Sequence, residues 1–184
     1  PPSILQVNIG IYCNQACSHC HVESSPLRVE ETMSRETRER VEFILEKSEG
    51  VTTLDVTGGA PELAPEFRNL VRNARKMKGD ALKIIDRCNL TVFYEPGQED
   101  LGAFLEEHDV TVVASLPCYS EANTDKQRGR GVFERSIDAL KELNALGYGI
   151  EGTGRTLDLM YNPGGAFLPP EQSKLEVAYK SELK

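Results

Sequence analysis

Three cysteines, Cys13, Cys17 and Cys20, fall within eight residues at C-x3-C-x2-C spacing. Thiolates are soft ligands that favour iron–sulfur chemistry, and a short loop carrying three of them fits three corners of a cubane [4Fe–4S] cluster. One iron is then left without a protein ligand, free to take a small chelating molecule. Two other chemistries compete for the same residues. A zinc knuckle would draw its fourth ligand from His19 or His21, and a disulfide pair would leave one thiol over. Zinc prefers C-x2-C pairs, so x3 followed by x2 favours the cluster.

Further residues suited to chemistry recur along the chain. Gly58-Gly59 lets backbone approach a ligand where a side chain would collide, although two glycines are also an ordinary tight turn. Cys88 and Cys118 are two further thiols. Buried cysteine is usually inert, but a thiolate takes up thiophilic elements, of which trivalent arsenic is one. Lys126, Arg128 and Arg130 lie in a glycine-broken stretch ahead of a helix, which suits either an anion or a solvated loop. Gly129-Arg130-Gly131 lacks the third glycine and the preceding strand of a dinucleotide fingerprint.

The elements that must position these residues alternate strand and helix, the pattern of βα units around a parallel sheet. Apolar runs predict strands over 4–12, 51–57, 81–86, 110–116 and 156–161. Helical spacing follows Ser34, continues from Phe67 to Met77, recurs briefly at Leu101 to Leu105, and returns at Phe133 to Leu140 and Leu175 to Tyr179. Residues 21–33 and 119–131 read as loops, and 149–154 is glycine-rich where a plain link is expected. Strand C-termini of a parallel sheet emerge at one edge, where βα loops build sites. The cysteine loop, Gly58-Gly59, Cys88-Asn89 and Ser115 to Cys118 all fall on that edge.

At 184 residues the chain has the size of one domain that buries about 70% of its unfolded surface. A net charge of −8 argues against an extended nucleic-acid or anionic-membrane surface. No run reaches the roughly 18 apolar residues of a membrane span. Five cysteines, three of them bunched, point to a reducing compartment and a cytoplasmic location.

The cysteine spacing resembles the signature of the radical S-adenosylmethionine (radical SAM) superfamily. Residues 57–62, Thr-Gly-Gly-Ala-Pro-Glu, resemble its Gly-Gly-Glu-Pro motif, with Ala60 standing where glutamate is usual and Glu62 following Pro61. The resemblance narrows to the arsenosugar biosynthesis radical SAM proteins through Cys13-Asn14-Gln15-Ala16-Cys17 with His19-Cys20-His21-Val22 and Asp86-Arg87-Cys88-Asn89-Leu90-Thr91. Ser115-Leu116-Pro117-Cys118-Tyr119, Gln127 to Phe133, and Tyr161 to Gly165 with Leu168-Pro169-Pro170 extend it over nearly the whole chain.

That resemblance implies an α/β fold, a partial (β/α)6 TIM-like barrel of which about five units are present. It also implies a single core domain over residues 1–184 without the family's Cys-rich C-terminal region. Cys13, Cys17 and Cys20 would hold the [4Fe–4S] cluster. S-adenosylmethionine would meet Gly58, Gly59, Ala60, Pro61 and Glu62 through its amino group, His19 near its adenine, and Asn89 and Ser115 through polar contacts. The activity implied is reductive cleavage of S-adenosylmethionine and transfer of the 5′-deoxyadenosyl group to dimethylated trivalent arsenic, with Cys88 and Cys118 on the substrate side. A flavodoxin or ferredoxin would donate the electron. Two other readings stay open: a radical SAM enzyme acting on a peptide or another thiophilic substrate, and a non-catalytic iron–sulfur or zinc module.

Overall fold

A computed structural model describes residues 2–183. Five strands form one wholly parallel sheet: β1 (Ile4–Asn8), β2 (Thr53–Thr57), β3 (Lys83–Asp86), β4 (Val110–Ala114) and β5 (Leu157–Leu159). Their order in space is their order in sequence. Every crossover therefore adds its strand at the same edge, which is how a βα barrel winds, whereas a doubly wound sheet reverses. β1 and β5 are the outer strands of this open arc.

Among the described residues five α-helices fill the connections, α1 (Arg35–Lys47), α2 (Phe67–Lys78), α3 (Leu101–Glu107), α4 (Glu121–Arg128) and α5 (Val132–Ala145), and α6 (Gln172–Glu182) follows β5. Ser34 caps α1 by accepting a hydrogen bond from the Thr37 amide at 3.2 Å. α2 stops at Gly79, whose φ of +56° suits glycine. Its buried stripe of Phe67, Leu70, Val71 and Ala74 has the i, i+3, i+4, i+7 spacing of one helix face.

The sheet has two distinct faces. Register aligns Leu54 with Ile84 and Val110, and Val56 with Asp86 and Val112. All six side chains are buried beneath the helices, so Asp86 interrupts an otherwise apolar layer. The alternate residues Gln6, Asp55, Ile85 and Thr111 point to the opposite face. There Asp55 receives both Arg87 Nε and Nη2 at 2.8 Å and Gln6 Nε2 at 2.8 Å. The Arg87 guanidinium, helped by Gln6, holds the Asp55 carboxyl below its ordinary range. A depressed carboxyl stabilises the fold above the ordinary aspartate pKa and loses that contribution as pH falls through the folded value. Asp55→Asn is thus expected to lower stability in urea near neutral pH, with the gap to the parent chain closing as pH falls below the ordinary aspartate value and through the lower folded one. A constant gap across that range would show that the loss is packing rather than charge.

The structure departs from the sequence-based expectations in three places. β1 ends at Asn8 because Gly10, at φ +145°, turns the chain to bridge Thr32. Residues 121–128, expected as loop, form α4. The glycine-rich return after α5 places Gly147, Gly149, Gly152 and Gly154 at positive φ, and Thr153 Oγ1 donates to the Gly147 carbonyl at 2.6 Å.

Candidate cluster and cofactor site

The loop after β1 is tied down from several sides. The Cys13 amide donates to the Ser25 carbonyl, and Ser18 donates its amide to the Gln127 carbonyl of α4 at 3.1 Å. Each of two sulfurs accepts a backbone hydrogen bond, Cys13 from the Gln15 amide at 3.4 Å and Cys20 from the Ser24 amide at 3.3 Å. Such bonds favour the thiolate over the thiol. Burial acts the other way on Cys13 and raises its pKa overall. A metal removes that conflict, because a coordinated thiol is deprotonated outright.

Cys13, Cys17 and Cys20 line one cavity of about 230 Å³ together with Gly58, Gly59, Asn89, Ser115 and Arg128. Their sulfurs are not among the ligand atoms that gather within 4.8 Å of one another among the described residues. A single zinc would need sulfurs only ~3.8 Å apart. A cubane spreads its ligands wider, so a donor set of three separated soft sulfurs fits a [4Fe–4S] cluster better than a knuckle.

Gly58-Gly59 is required here for a reason the sequence did not reveal. A Cβ on Gly58 would lie 2.5 Å from the Gly10 carbonyl oxygen, and one on Gly59 would lie 2.3 Å from that of Tyr12. The Gly59 amide donates to Gly10 and the Ala60 amide to Tyr12, each at 2.9 Å. The glycines therefore let the turn after β2 lie flat against the backbone of the cysteine loop. Beyond them Ala60 and Pro61 are buried and do not line the cavity. Glu62 is 3% exposed and turns into the layer beneath the helices, away from the cavity where the resemblance had put it.

Asn89 lines the cavity but spends its side chain on the loop. Its Nδ2 donates to Asn14 Oδ1 at 2.7 Å and to Cys13 Sγ at 3.5 Å. Ser115 also lines the cavity. His19 is exposed where this cavity meets a second one. Partial desolvation, with the Arg128 charge nearby, lowers the His19 imidazole pKa and favours the neutral ring.

The sequence does not single out Gln15, and it offers Arg128 either to an anion or to a solvated loop. Arg128 is 6% exposed, at the end of α4. Its Nε and Nη2 both donate to Gln15 Oε1, Nη2 reaches the Asn89 carbonyl at 3.4 Å, and Nη1 bonds the Ser115 carbonyl. Gln15 passes the contact on, donating to Thr91 Oγ1 at 2.6 Å and accepting from Cys17 Sγ at 3.2 Å. One guanidinium thus joins the cysteine loop to the ends of β3 and β4. All its acceptors are neutral oxygens, so its charge remains available to thiolates or a bound anion.

The second cavity, about 650 Å³, contains Cys118 with Asn123, Lys126, Tyr161 and Asn162, and shares His19 with the first. Burial alone would raise the Cys118 pKa. Hydrogen bonds from the Ser120 hydroxyl and amide, Asn123 and the Tyr119 amide outweigh it and lower the value. Ser120 Oγ lies 3.5 Å and Asn123 Nδ2 3.6 Å from the sulfur. Cys88, expected beside it on the substrate side, is instead fully buried and lines neither cavity. It forms part of the layer under the helices. Neither thiol joins the three cysteines as a fourth ligand in their cavity.

The sequence matches the Radical SAM superfamily over residues 7–163. No curated protein matches it. Among solved structures, Streptococcus suis SuiB bound to S-adenosylmethionine is similar with a TM-score of 0.69 at 16% identity, over 98% of this chain and 37% of that one. Native anSMEcpe with bound AdoMet is similar with a TM-score of 0.66 at 22% identity, over 88% of this chain and 43% of that one. SuiB bound to the precursor peptide SuiA gives a TM-score of 0.68 at 20% identity, over 99% and 37% of the two chains. The chain thus spans well under half the length of these structures, and the likeness is one of fold: an α/β partial TIM-like barrel. Among the described residues no helix is long and apolar enough to cross a membrane.

Proposed function

The chain belongs to the radical S-adenosylmethionine superfamily, whose members use a [4Fe–4S] cluster and S-adenosylmethionine, and on that premise we propose that it is the core of an enzyme transferring the 5′-deoxyadenosyl group to dimethylated trivalent arsenic. When bound at Cys13, Cys17 and Cys20, the cluster supplies the electron that cleaves S-adenosylmethionine, delivered by a flavodoxin- or ferredoxin-type donor. The residues of this chain orient and shield. Gly58 and Gly59 keep the turn after β2 against the cysteine loop, Ser115 offers polar contact to the methionyl end, and neutral His19 stands at the passage between the cavities.

The observation that carries the reading is Cys118. A thiol whose pKa is lowered by four hydrogen bonds, in a cavity adjoining the cysteine site, is a soft donor suited to a thiophilic acceptor. Cys118→Ala should leave iron content and S-adenosylmethionine cleavage unchanged, and reduce the arsenic-containing adenosyl product on the order of 10²-fold. Product detected at the parental rate by mass spectrometry would remove Cys118 from the acceptor site. The pH profile supplies a second check. A lowered pKa keeps the thiolate below the ordinary thiol range, so product formation should fall only as pH drops through that lowered value. Replacing Ser120 and Asn123 by Ala should move that acid limb to higher pH.

A peptide acceptor is the second reading, favoured by the solved complexes of SuiB with precursor peptide SuiA and of anSMEcpe with the Cp18Cys peptide. An adenosyl adduct supports arsenic transfer. Free 5′-deoxyadenosine with an altered peptide supports the alternative.

A further inference from the structure

Beneath the turn after β2, away from both cavities, Glu62, Asp86 and Cys88 bring two carboxylates and a thiol together in the apolar layer between sheet and helices. Their ligand atoms all lie within 4.8 Å of one another. The three residues are 3%, 0% and 0% exposed. All four carboxylate oxygens are buried without a hydrogen-bond partner. Isolated carboxylates in such surroundings are strongly disfavoured and persist only when paired, neutralised or bound to a cation. No side-chain cation bonds these oxygens: the guanidinium of Arg87, next in sequence to Asp86, is on the other side of the sheet, committed to Asp55, and Arg68 reaches only Gln98 and Asp100.

We propose that Glu62, Asp86 and Cys88 bind a single divalent cation of the zinc class, separate from the iron–sulfur site. The thiol supports this independently of the carboxylates. Cys88 Sγ accepts the amide hydrogen of Leu90, two residues on, at 3.2 Å. Cys13 Sγ takes the same i+2 bond from Gln15. The arrangement presents a sulfur already hydrogen-bonded on one side and gathered with two carboxylates; burial beside them keeps it a thiol until a cation displaces the proton. One sulfur and two carboxylates suit zinc, which accepts both donor types and can take its fourth position from the second, equally unpartnered oxygen of either carboxylate, whereas magnesium and calcium take oxygen alone. The ligands come from the turn after β2, the end of β3 and the residue pair following it. The ion would fasten the Gly58–Glu62 turn to β3 from below, and because the site is closed to solvent it would enter as the chain folds.

The proposal is independent of the acceptor chemistry, and its test reads metal and not turnover. The full chain, reconstituted anaerobically with iron and sulfide after growth in zinc, is assayed for both metals by mass spectrometry. About one zinc per chain is expected beside the cluster iron, falling to below about a tenth in Cys88→Ala with cluster iron retained. Growth in cobalt should give the parent chain a thiolate-to-cobalt charge-transfer band that Cys88→Ala lacks. Should Cys88→Ala fail to fold, Asp86→Asn supplies the same comparison in a nearly isosteric form, with zinc again lost. A parent chain that folds and holds its cluster with no zinc and no thiolate–cobalt band would overturn the site and leave a proton shared between the carboxyls as its occupant. Zinc that persists in both variants, or that disappears only when Cys13, Cys17 and Cys20 are replaced, would overturn it equally.

Discussion

Gly59→Ala is expected to abolish cluster loading under anaerobic reconstitution and to destabilise the chain by about 3 kcal/mol, the upper end for an added methyl in a packed site. The new Cβ would meet the Tyr12 carbonyl oxygen at 2.3 Å, its carbon at 2.8 Å and Cys13 Cβ at 3.0 Å. Two of these are backbone atoms, which cannot swing aside as a long side chain would. Relief requires the cysteine loop to lift from the turn after β2, breaking the Gly59-to-Gly10 and Ala60-to-Tyr12 hydrogen bonds and moving Cys13. Iron analysis and thermal unfolding test it together. A variant with parental iron content would mean that the loop adjusts without disturbing its sulfurs.

The second large effect is expected at Arg128. Arg128→Met keeps much of the buried stem but strips Gln15 Oε1 and the Ser115 carbonyl of their charged donor. Losing the charged donor to both costs about 3 kcal/mol in all, since hydrogen bonds from charged donors are the stronger kind and Gln15 Oε1 keeps only the weak Cys17 contact. The functional cost is greater than the stability cost. Gln15 links that guanidinium to Cys17 and Thr91, so the loop loses its register and the site its positive charge. Cluster iron and S-adenosylmethionine affinity should both drop by more than tenfold. Arg128→Lys should not restore them, because an ammonium lacks the planar fork that reaches several acceptors at once. Full recovery with Lys would show that charge alone is needed.

Much of this architecture was legible because apolar patterning reports burial. Leu54 and Val56 in β2, and the Phe67 to Ala74 stripe of α2, are fully buried, as their spacing demands. The cysteine spacing and the placing of glycines at a strand end were equally direct signals. What stayed hidden was polar. α4 buries Thr124, Gln127 and Arg128 and has no apolar stripe, so its helix was indistinguishable from a solvated loop. Arg128 was lost with it, since its partner Gln15 lies 113 residues away and nothing local announces the pairing. A fixed stop at Gly129, following Ser120 as N-cap, was the available hint. Cys88 failed differently. Alternation continues past the end of β3 and carries its side chain to the same buried face as Asp86, whereas strand-end position alone suggested the mouth.

The order of the sheet also sets a timetable for folding. Each strand pairs with the one made just before it, so contacts close over one crossover at a time and the arc can grow as the chain leaves the ribosome. The cysteine loop follows the first strand, yet its clamp arrives only with the helix that ends at Arg128. During synthesis the three thiols are thus made well before the guanidinium that locks their loop, which lies 113 residues beyond Gln15. A cluster added in that interval would meet cysteines not yet held by the guanidinium over Gln15.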